Sequence, residues 1–355
     1  MVLFYIFVFC CLLQVITWVF LYGRPIKREQ KTGSYEGVSV IIAAKNEEEN
    51  IARLLEALCN QDFPTFEIIV VDDYSTDQTK AVIVAQAAIG EIRYLKASKD
   101  VPGKKLALTE GIAEAQYPIL LLTDADCWPK SSKWIQSMVN HLGTKDICIG
   151  YGPLQAYNLS SGFAKLEGIW IALQYFGFAN IGKPYMAVGR NLMFRKALFE
   201  KNKGYQSHLD IASGDDDLFI QEMATAENVA INVEEDSWVF SKAPSTWSKL
   251  IRQKMRHLST ATSYREGAQF NLAFFSMLHL GVYILATVLM LKGMLIITLL
   301  SLGIKYLIQS IFQFHLALRL GGFLYIILFP IVEMVLSGYY LVLSPFLWWR
   351  KRNIW

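Results

Sequence analysis

The 355-residue chain has little charge and few cysteines, and both shortages narrow the class of protein it can be. Charged residues make up 18% of the sequence, hydrophobic residues make up 53%, and the formal net charge is +3. Because no tract interleaves basic and aromatic residues, nothing in this balance supports nucleic-acid binding. The five cysteines have no zinc-binding or redox spacing, a pattern typical of reduced thiols in a reducing compartment.

The charge that is present is unevenly distributed along the chain. Between Ser34 and Glu266 charged residues occur at ordinary density, whereas outside this range they nearly vanish except in short basic clusters. This division predicts one folded domain held between membrane segments, with the domain covering residues 34–240.

Residues 1–23 are predicted to form a transmembrane anchor. The uncharged run from Val2 to Leu21 has about the length that crosses a ~30 Å hydrocarbon core. A cleaved signal peptide would carry basic residues before its apolar run, but here they come after it: Arg24, Lys27, Arg28 and Lys31. Because positive flanks stay in the cytoplasm, we expect an integral protein of the cytoplasmic membrane whose folded domain faces the cytoplasm.

Residues 267–349 contain three further apolar runs, each long enough to span a membrane. They extend over 267–291, 293–318 and 320–349, with Lys305 and Glu333 as the charged residues inside them. A buried soluble bundle would show polar faces at helical spacing, and these are missing. The basic tail, residues 350–355, suits the cytoplasm, whereas three spans from a cytoplasmic domain end outside, and this conflict stays open.

Residues 241–266 are predicted to be an amphipathic segment in the lipid headgroup region. From Trp247 to Leu258, apolar residues recur at helical spacing while basic residues face elsewhere. The stretch from Tyr157 to Phe178 is also rich in aromatic residues and fits either the same interface or an ordinary core helix.

The domain itself alternates strand and helix patterns. Short β-branched or apolar runs predict strands at 38–43, 66–71 and 119–123, and the spacing of apolar residues predicts a helix from Glu48 to Leu58. This alternation is typical of an α/β fold with a mostly parallel sheet covered by helices on both faces. No Gly-x-Gly-x-x-Gly follows the first strand, which disfavours a dinucleotide-binding Rossmann site.

Polar residues gather just after three of these strands, at the edge where open α/β sheets bind ligands. They are Lys45-Asn46-Glu47, Asp72-Asp73 and Asp124-Ala125-Asp126. Single acidic residues there are often turn formers or helix caps, but three clusters at one edge predict a site. The carboxylates of Asp124 and Asp126 are hard oxygen ligands that suit Mg²⁺ or Mn²⁺, and Lys104 adds positive charge suited to a diphosphate.

A second acidic cluster, Asp215-Asp216-Asp217, opens a predicted helix. Helix capping explains one aspartate at this position, because the positive end of the helix favours it. It does not explain three adjacent aspartates that repel one another. We therefore expect a general base in this cluster.

Five segments together resemble the family 2 inverting glycosyltransferases of the GT-A fold, in their membrane-bound bacterial form. They are VSVIIAAKNEEENI (38–51), IIVVDDYSTDQT (68–79), TDADC (123–127), SGDDDL (213–218) and QKMRH (253–257). The resemblance covers about residues 38–257 and implies a GT-A domain, Rossmann-like and nucleotide-diphospho-sugar-binding, with flanking transmembrane helices.

The resemblance also implies roles for individual residues. Nucleotide-sugar contacts would come from Ala43, Glu47, Asp73, Lys104 and Asp124. Asp124 and Asp126 match the family's metal-binding DxD, and Asp216 matches the acid of its base motif. Gly189, Arg190 and Asn191 resemble the acceptor-side loop, with Asp215 and His257 beside it. Gln253 and Arg256 match the family's Gln-x-x-Arg-Trp, but His257 stands where the family has tryptophan.

The expected function is transfer of a sugar, with a UDP-sugar favoured as donor, onto a lipid or lipid-linked acceptor at the membrane. A nucleotide diphosphate leaves readily once a divalent cation neutralises its charge, so one base is enough, whereas glycosidases typically need two carboxylates. The alternatives are a processive polysaccharide synthase and, from another class, a non-catalytic membrane subunit that retains a sugar-nucleotide domain. A transporter is disfavoured, because four spans and one intramembrane acid make a poor pathway.

Overall fold

The computed structural model of the protein describes residues 1–26, 37–88, 92–98, 103–211 and 213–344. The strands, in chain order, are β1 Val38–Ala44, β2 Phe66–Asp72, β3 Ile92–Lys96, β4 Ile119–Asp124, β5 Cys127–Pro129, β6 Ile147–Gly150, β7 Leu154–Gln155, β8 Leu192–Arg195, β9 Val229–Asn232 and β10 Val239–Lys242. The α-helices are α1 Val2–Tyr22, α2 Ile51–Cys59, α3 Thr79–Ala87, α4 Lys104–Glu114, α5 Trp134–Leu142, α6 Leu159–Asn180, α7 Lys196–Lys201, α8 Asp217–Met223, α9 Trp247–Thr260, α10 Glu266–Leu291, α11 Leu295–Arg319 and α12 Phe323–Leu343.

Seven strands form the central sheet in the order β3-β2-β1-β4-β8-β6-β9. All of its neighbours pair in parallel except β8, which is antiparallel to both β4 and β6. The predicted α/β class with a mostly parallel sheet is therefore confirmed. A second sheet, in the order β5-β10-β7, lies beside it.

Alternate residues of each central strand face opposite layers of helices, as the two-residue period of a strand requires. On one face Val40, Ile42 and Leu121 pack in a buried cluster with residues of α2 and α5. On the other face Ile41 and Leu120 pack with residues of α4, α6 and the apolar helices. The strands are apolar along their length because both faces of the sheet are covered.

One predicted helix begins later than expected. The pattern predicts a helix from Glu48, but α2 begins at Ile51. The Glu48 backbone N–H donates to Asp77, and the Gln78 N–H donates to the Glu48 carboxylate, so this residue is tied to the loop after β2. These bonds compete with helix formation and hold the segment from Lys45 to Glu49 at the edge of the sheet.

Four helices, α1, α10, α11 and α12, are long and apolar enough to cross a membrane, which supports a membrane protein. Residues 27–36, with Lys27, Arg28 and Lys31, and the basic tail 350–355 lie outside the described residues. The two charged residues of the C-terminal runs pair with each other. Lys305 on α11 donates to Glu333 on α12 at 2.7 Å, and both side chains are buried in the bundle.

The aromatic stretch from Tyr157 to Phe178 forms most of α6, whose side chains Trp170, Tyr175 and Phe176 are buried. It packs between the central sheet and the apolar helices, as a core helix does. In α9, by contrast, Trp247 and Ile251 are exposed, as expected of a surface helix. Lys254 on the same helix is buried, and it pairs with Glu167 on α6.

Candidate active site

The parallel register brings the carboxyl ends of β1, β2 and β4 to one edge of the sheet. Ala43 on β1 is paired with Asp124 on β4, and the following loop carries Glu47. The Glu47 N–H donates to the Thr79 hydroxyl at 2.7 Å, and its carboxylate accepts from Asn50 at 2.8 Å. Burial raises the pKa of Glu47, and the charges of Asp126 and Asp124 raise it further. Acidic groups from two strands therefore meet here.

Asp124 and Asp126 form the candidate metal site, together with the thiol of Cys127. The ligand atoms of the three residues lie within 4.8 Å of one another. Burial and the neighbouring carboxylates hold the pKa of the Cys127 thiol well above its usual range, and the thiol donates to Asp126. The two carboxylates are hard oxygen donors, which fit a hard divalent cation such as Mg²⁺ or Mn²⁺.

The electrostatics of this acid pair also favour a cation. Burial raises the pKa of Asp126, and the adjacent Asp124 carboxylate raises it further. Burial would raise the pKa of Asp124 as well, but the Lys104 ammonium, 2.7 Å away, holds it below its ordinary value. Two carboxylates in one buried site repel each other unless positive charge is shared between them.

Lys104, the first residue of α4, connects the two acidic clusters. Its ammonium lies 2.7 Å from Asp124 and 2.6 Å from Asp215. The preceding residue, Gly103, donates its N–H to the Asp73 carboxylate at 3.0 Å. Asp73 is buried, and among the described residues it is not one of those that line the cavity described below. Through its bond to Gly103 it helps to fix the start of α4, and with it the position of Lys104.

Asp216 caps α8, where its Oδ1 accepts from the Asp217 N–H at 2.8 Å. Its Oδ2 accepts from the Gly189 N–H at 2.8 Å. Burial, followed by the charges of Asp215 and Asp217, raises the pKa of Asp216 to about 7. A carboxylate with this pKa is suited to accept a proton at neutral pH.

Position 189 has little room for a side chain, because the carboxylates of Asp215 and Asp216 lie against Gly189. A Cβ at this position would come within 3.0 Å of the Asp215 carboxylate and 3.4 Å of the Lys104 ammonium. The next residue, Arg190, donates to the Gly152 carbonyl oxygen and lines the cavity. Asn191 is fully buried, and its amide bonds to Trp134, Tyr151 and Ser237. Asn191 therefore supports this loop and is not exposed to an acceptor.

Asp217 has a different environment from Asp216. Its Oδ2 accepts from the Thr260 hydroxyl at 2.5 Å and from the Tyr264 hydroxyl at 2.6 Å, so it connects α8 to the segment after α9. Both oxygens are occupied, because Oδ1 accepts from the Leu218 N–H. These contacts make Asp217 a structural link rather than a second base.

Helix α9 brings the predicted Gln-x-x-Arg motif to the cavity that holds the acidic residues. Gln253, Arg256 and His257 all line the cavity that contains the acidic residues. Desolvation, followed by the charges of Lys254 and Arg256, holds the pKa of His257 well below its usual range. Arg256 is the cation that this motif contributes to the cavity.

A single cavity of about 1290 Å³ joins these groups. Its sheet end is lined by Glu47, Asp124, Asp126 and Asp216, and its other end extends between α6, α9, α10 and α12. Sites for small molecules typically measure ~300–1,000 Å³, so this cavity has room for more than one bound molecule.

Sequence reasoning missed the polar contacts that hold the second end of the cavity together. Glu167 on α6 accepts from Lys254 on α9 at 2.9 Å and from the Tyr340 hydroxyl on α12 at 2.6 Å. A lone acid inside an aromatic helix was a signal for a buried partner, since acids are rarely buried unpaired. Nothing in the local sequence identified Thr260 or Tyr264 as partners of Asp217.

The fold is the GT-A fold of glycosyltransferases. The sequence matches the profile named "Glycosyl transferase family 2" over residues 39–202 and that named "Glycosyl transferase family group 2" over residues 124–347. The second match covers more than half of the chain, and the protein belongs to this family.

Individual relatives agree with the family assignment. "Glycosyltransferase AglE" of Haloferax volcanii is 28% identical over 192 residues, which cover 52% of this chain and 60% of that protein. "Beta-monoglucosyldiacylglycerol synthase" of Nostoc sp. is 36% identical over 110 residues, 30% of this chain and 24% of that protein. The aligned segments thus span between about a quarter and three fifths of these relatives.

Among solved structures, a mannosyltransferase from Pyrobaculum calidifontis "in complex with GDP-Man and Mn2+" has the same fold. The two superpose with a TM-score of 0.61 over 96% of this chain and 97% of that chain, at 16% sequence identity. The likeness extends over the apolar helices as well as the catalytic domain, and it concerns the fold alone.

Proposed function

We propose that this glycosyltransferase moves a sugar from a nucleotide diphosphate donor, with UDP favoured, onto a lipid or lipid-linked acceptor, inverting the anomeric carbon. The observation that carries the proposal is the shared cavity. It places the acid pair and Asp216 at one end and the apolar helices at the other. A donor that binds the acids and an acceptor that lies in the membrane would therefore meet at Asp216.

In the proposed reaction, Asp216 removes the proton from an acceptor hydroxyl. The acceptor oxygen forms a bond to the anomeric carbon while the bond from that carbon to the diphosphate oxygen breaks, and the nucleoside diphosphate leaves. Lys104 and Arg256 stabilise the negative charge that develops on the leaving group, because both line the cavity as cations. A single displacement of this kind needs no protein nucleophile and inverts the carbon.

Asp124 and Asp126 would hold the divalent cation, Mg²⁺ or Mn²⁺. When bound, it would neutralise charge on the diphosphate. The chain's own contribution is to keep both carboxylates at the end of β4, and Lys104 holds Asp124 ionised.

The experiment that tests the function combines purified protein with native membrane lipids and a panel of labelled nucleotide sugars. We expect one donor to yield a labelled product soluble in organic solvent, which mass spectrometry then identifies. A labelled polymer would point instead to a processive synthase. Failure to release nucleotide from any donor, by protein that still binds nucleotide, would point to a non-catalytic subunit.

We further propose that the catalytic domain faces the cytoplasm, where nucleotide sugars are made. The proposal is supported by Arg24 after α1 and by five cysteines that all remain free thiols. Cys59 is exposed on the catalytic domain, whereas Cys148 is buried, so Cys59 is the residue to label. In intact cells an impermeant maleimide should modify Cys59 only after lysis, and modification before lysis would reverse the orientation.

A further inference from the structure

The cavity extends far beyond what a nucleotide sugar needs. It reaches His279 and Leu280, near the middle of α10, a helix that is long and apolar enough to span the membrane. The walls of this part are largely apolar and are formed by Trp170, Phe275 and Leu336. We call this part, between α6, α10 and α12, the membrane wing of the cavity. Polar side chains also line this part, but those of Glu167 and Tyr340 already bond to each other, so a phosphate or a sugar would recover only part of the hydration it loses there.

The membrane wing is also open sideways. Met277 on α10 and Leu341 on α12 both line the cavity, and they are 72% and 49% exposed on the surface of the bundle. A chain held between these two helices would therefore lie partly in the wing and partly in the surrounding hydrocarbon. This geometry suits a molecule that diffuses within the membrane better than one that arrives from water.

The junction between the wing and the catalytic end is anionic. Asp215, Asp216 and Asp217 lie there, and two of the lysines that line the cavity are already paired, Lys104 with Asp124 and Asp215, and Lys254 with Glu167. Two arginines also line the cavity, Arg190 and Arg256, and their charges act on Asp124 at the sheet end. A lipid phosphate would add negative charge beside three carboxylates. Its oxygen is also ionised already and needs no base, whereas a hydroxyl does.

We propose, on the basis of the proposed function, that the acceptor is a long-chain lipid alcohol. Its hydrocarbon chain occupies the membrane wing through the opening between α10 and α12, and its hydroxyl is presented to Asp216. The sugar is attached to the lipid hydroxyl, so the product is a neutral glycoside and not a glycosyl phosphate.

The first test fills the wing. Ser276 lines the cavity on α10, and Ser276→Phe places a ring at the lateral opening. Ser301→Phe on α11, which does not line the cavity, is the matched control. With vesicles of native membrane lipids, we expect Ser276→Phe to raise the apparent KM for lipid at least tenfold and to leave nucleotide affinity unchanged. An equal apparent KM for lipid in the two variants would overturn the proposal that the hydrocarbon chain occupies the membrane wing.

A second test does not depend on catalysis. A diacylglycerol with a diazirine in its chain should label the wing residues of α10 and α12, and Ser276→Phe should abolish that labelling. Matched phosphatidic acid and phosphatidylcholine probes should label only outward-facing positions. Equal labelling by all three would mean ordinary boundary lipid, and no labelling inside the wing would mean that it holds no lipid chain; either result overturns the proposal.

The bond between sugar and lipid in the product shows whether a hydroxyl or a phosphate oxygen accepted the sugar. A glycoside survives mild acid, whereas a glycosyl phosphate releases free sugar, so an acid-labile product would refute the alcohol. The two proposals can fail separately. If no lipid receives sugar but the diazirine alcohol labels the wing, the lipid site stands without the transferase; if transfer proceeds and Ser276→Phe has no effect, the transferase stands without the site.

Discussion

The two ends of the cavity differ in how their residues are held. The donor end is the sheet end of the cavity, where the nucleotide sugar is proposed to bind, and the acceptor end is the part between α6, α9, α10 and α12. At the donor end, Glu47, Asp124 and Asp126 lie at or just after the ends of strands, and the parallel register aligns them. At the acceptor end, the positions of α6, α9 and α12 depend on contacts between residues far apart in sequence, such as Glu167 with Lys254 and Tyr340. Changes at the donor end should therefore affect chemistry, and changes at the acceptor end should affect helix packing and lipid use.

The largest effect should come from the donor end. Asp126→Ala removes one of the two carboxylates proposed to hold the cation, so transfer should fall to background while the protein still inserts and folds. Chelation with EDTA should abolish activity of the unmodified protein, and restoring Mg²⁺ or Mn²⁺ should recover it. Full activity in EDTA, with metal confirmed absent, would refute the metal requirement.

Asp216→Asn should have the next largest effect, because it keeps the size of the side chain and one of its two accepted hydrogen bonds but removes the base. We expect turnover to fall about 10²–10⁴-fold with nucleotide affinity unchanged. Asp217→Asn is the control, since its contacts to Thr260 and Tyr264 are structural, and it should cost less activity. Equal losses at both positions would assign the cluster a collective electrostatic role.

At the acceptor end, Lys254→Met leaves Glu167 buried without its cation. Breaking a buried ion pair costs roughly 3–5 kcal/mol, so the free energy of unfolding should fall measurably and lipid use should weaken. Lys249→Met on the exposed side of α9 is the matched control and should stay within about 0.5 kcal/mol of the unmodified protein. Equal thermal stability of the two variants would mean that the ion pair does not hold α9 against α6.

The pH profile gives a smaller effect at the point where the two ends meet. Since the pKa of Asp216 is about 7, kcat/KM should fall as the pH drops below this value and the base becomes protonated. Asp215→Asn removes the charge that, after burial, contributes most to raising this pKa, so the fall in kcat/KM should move to lower pH. A fall that does not move would show that Asp216 is not the titrating group.

The same pKa has a consequence for stability. The carboxyl pKa is higher in the folded state than the unfolded value of about 3.9, so the folded protein loses stability as the pH rises between these values. Asp216→Asn removes this loss, so its melting temperature should fall less between pH 4 and pH 8 than that of the unmodified protein. An equal fall in both proteins would contradict the burial of this charge.

The contrast between the ends also explains what could be predicted from the sequence. Strands β1, β2 and β4 and their acidic ends were predicted because local composition and period determine them. The start of α2 was misplaced, because Glu48 bonds to residues of another loop. The pattern placed the basic residues of α9 away from its apolar face and gave no sign that Lys254 is buried, because its partner Glu167 lies on a different helix.

The central claim is that a single base, Asp216, directs an acceptor hydroxyl at the donor's anomeric carbon in one displacement. The stereochemistry of the product tests this most directly. Nuclear magnetic resonance of the glycolipid formed from a donor of known configuration should show the opposite configuration at the anomeric carbon. Retained configuration would contradict the claim, because it requires either a covalent intermediate or attack from the side of the leaving group.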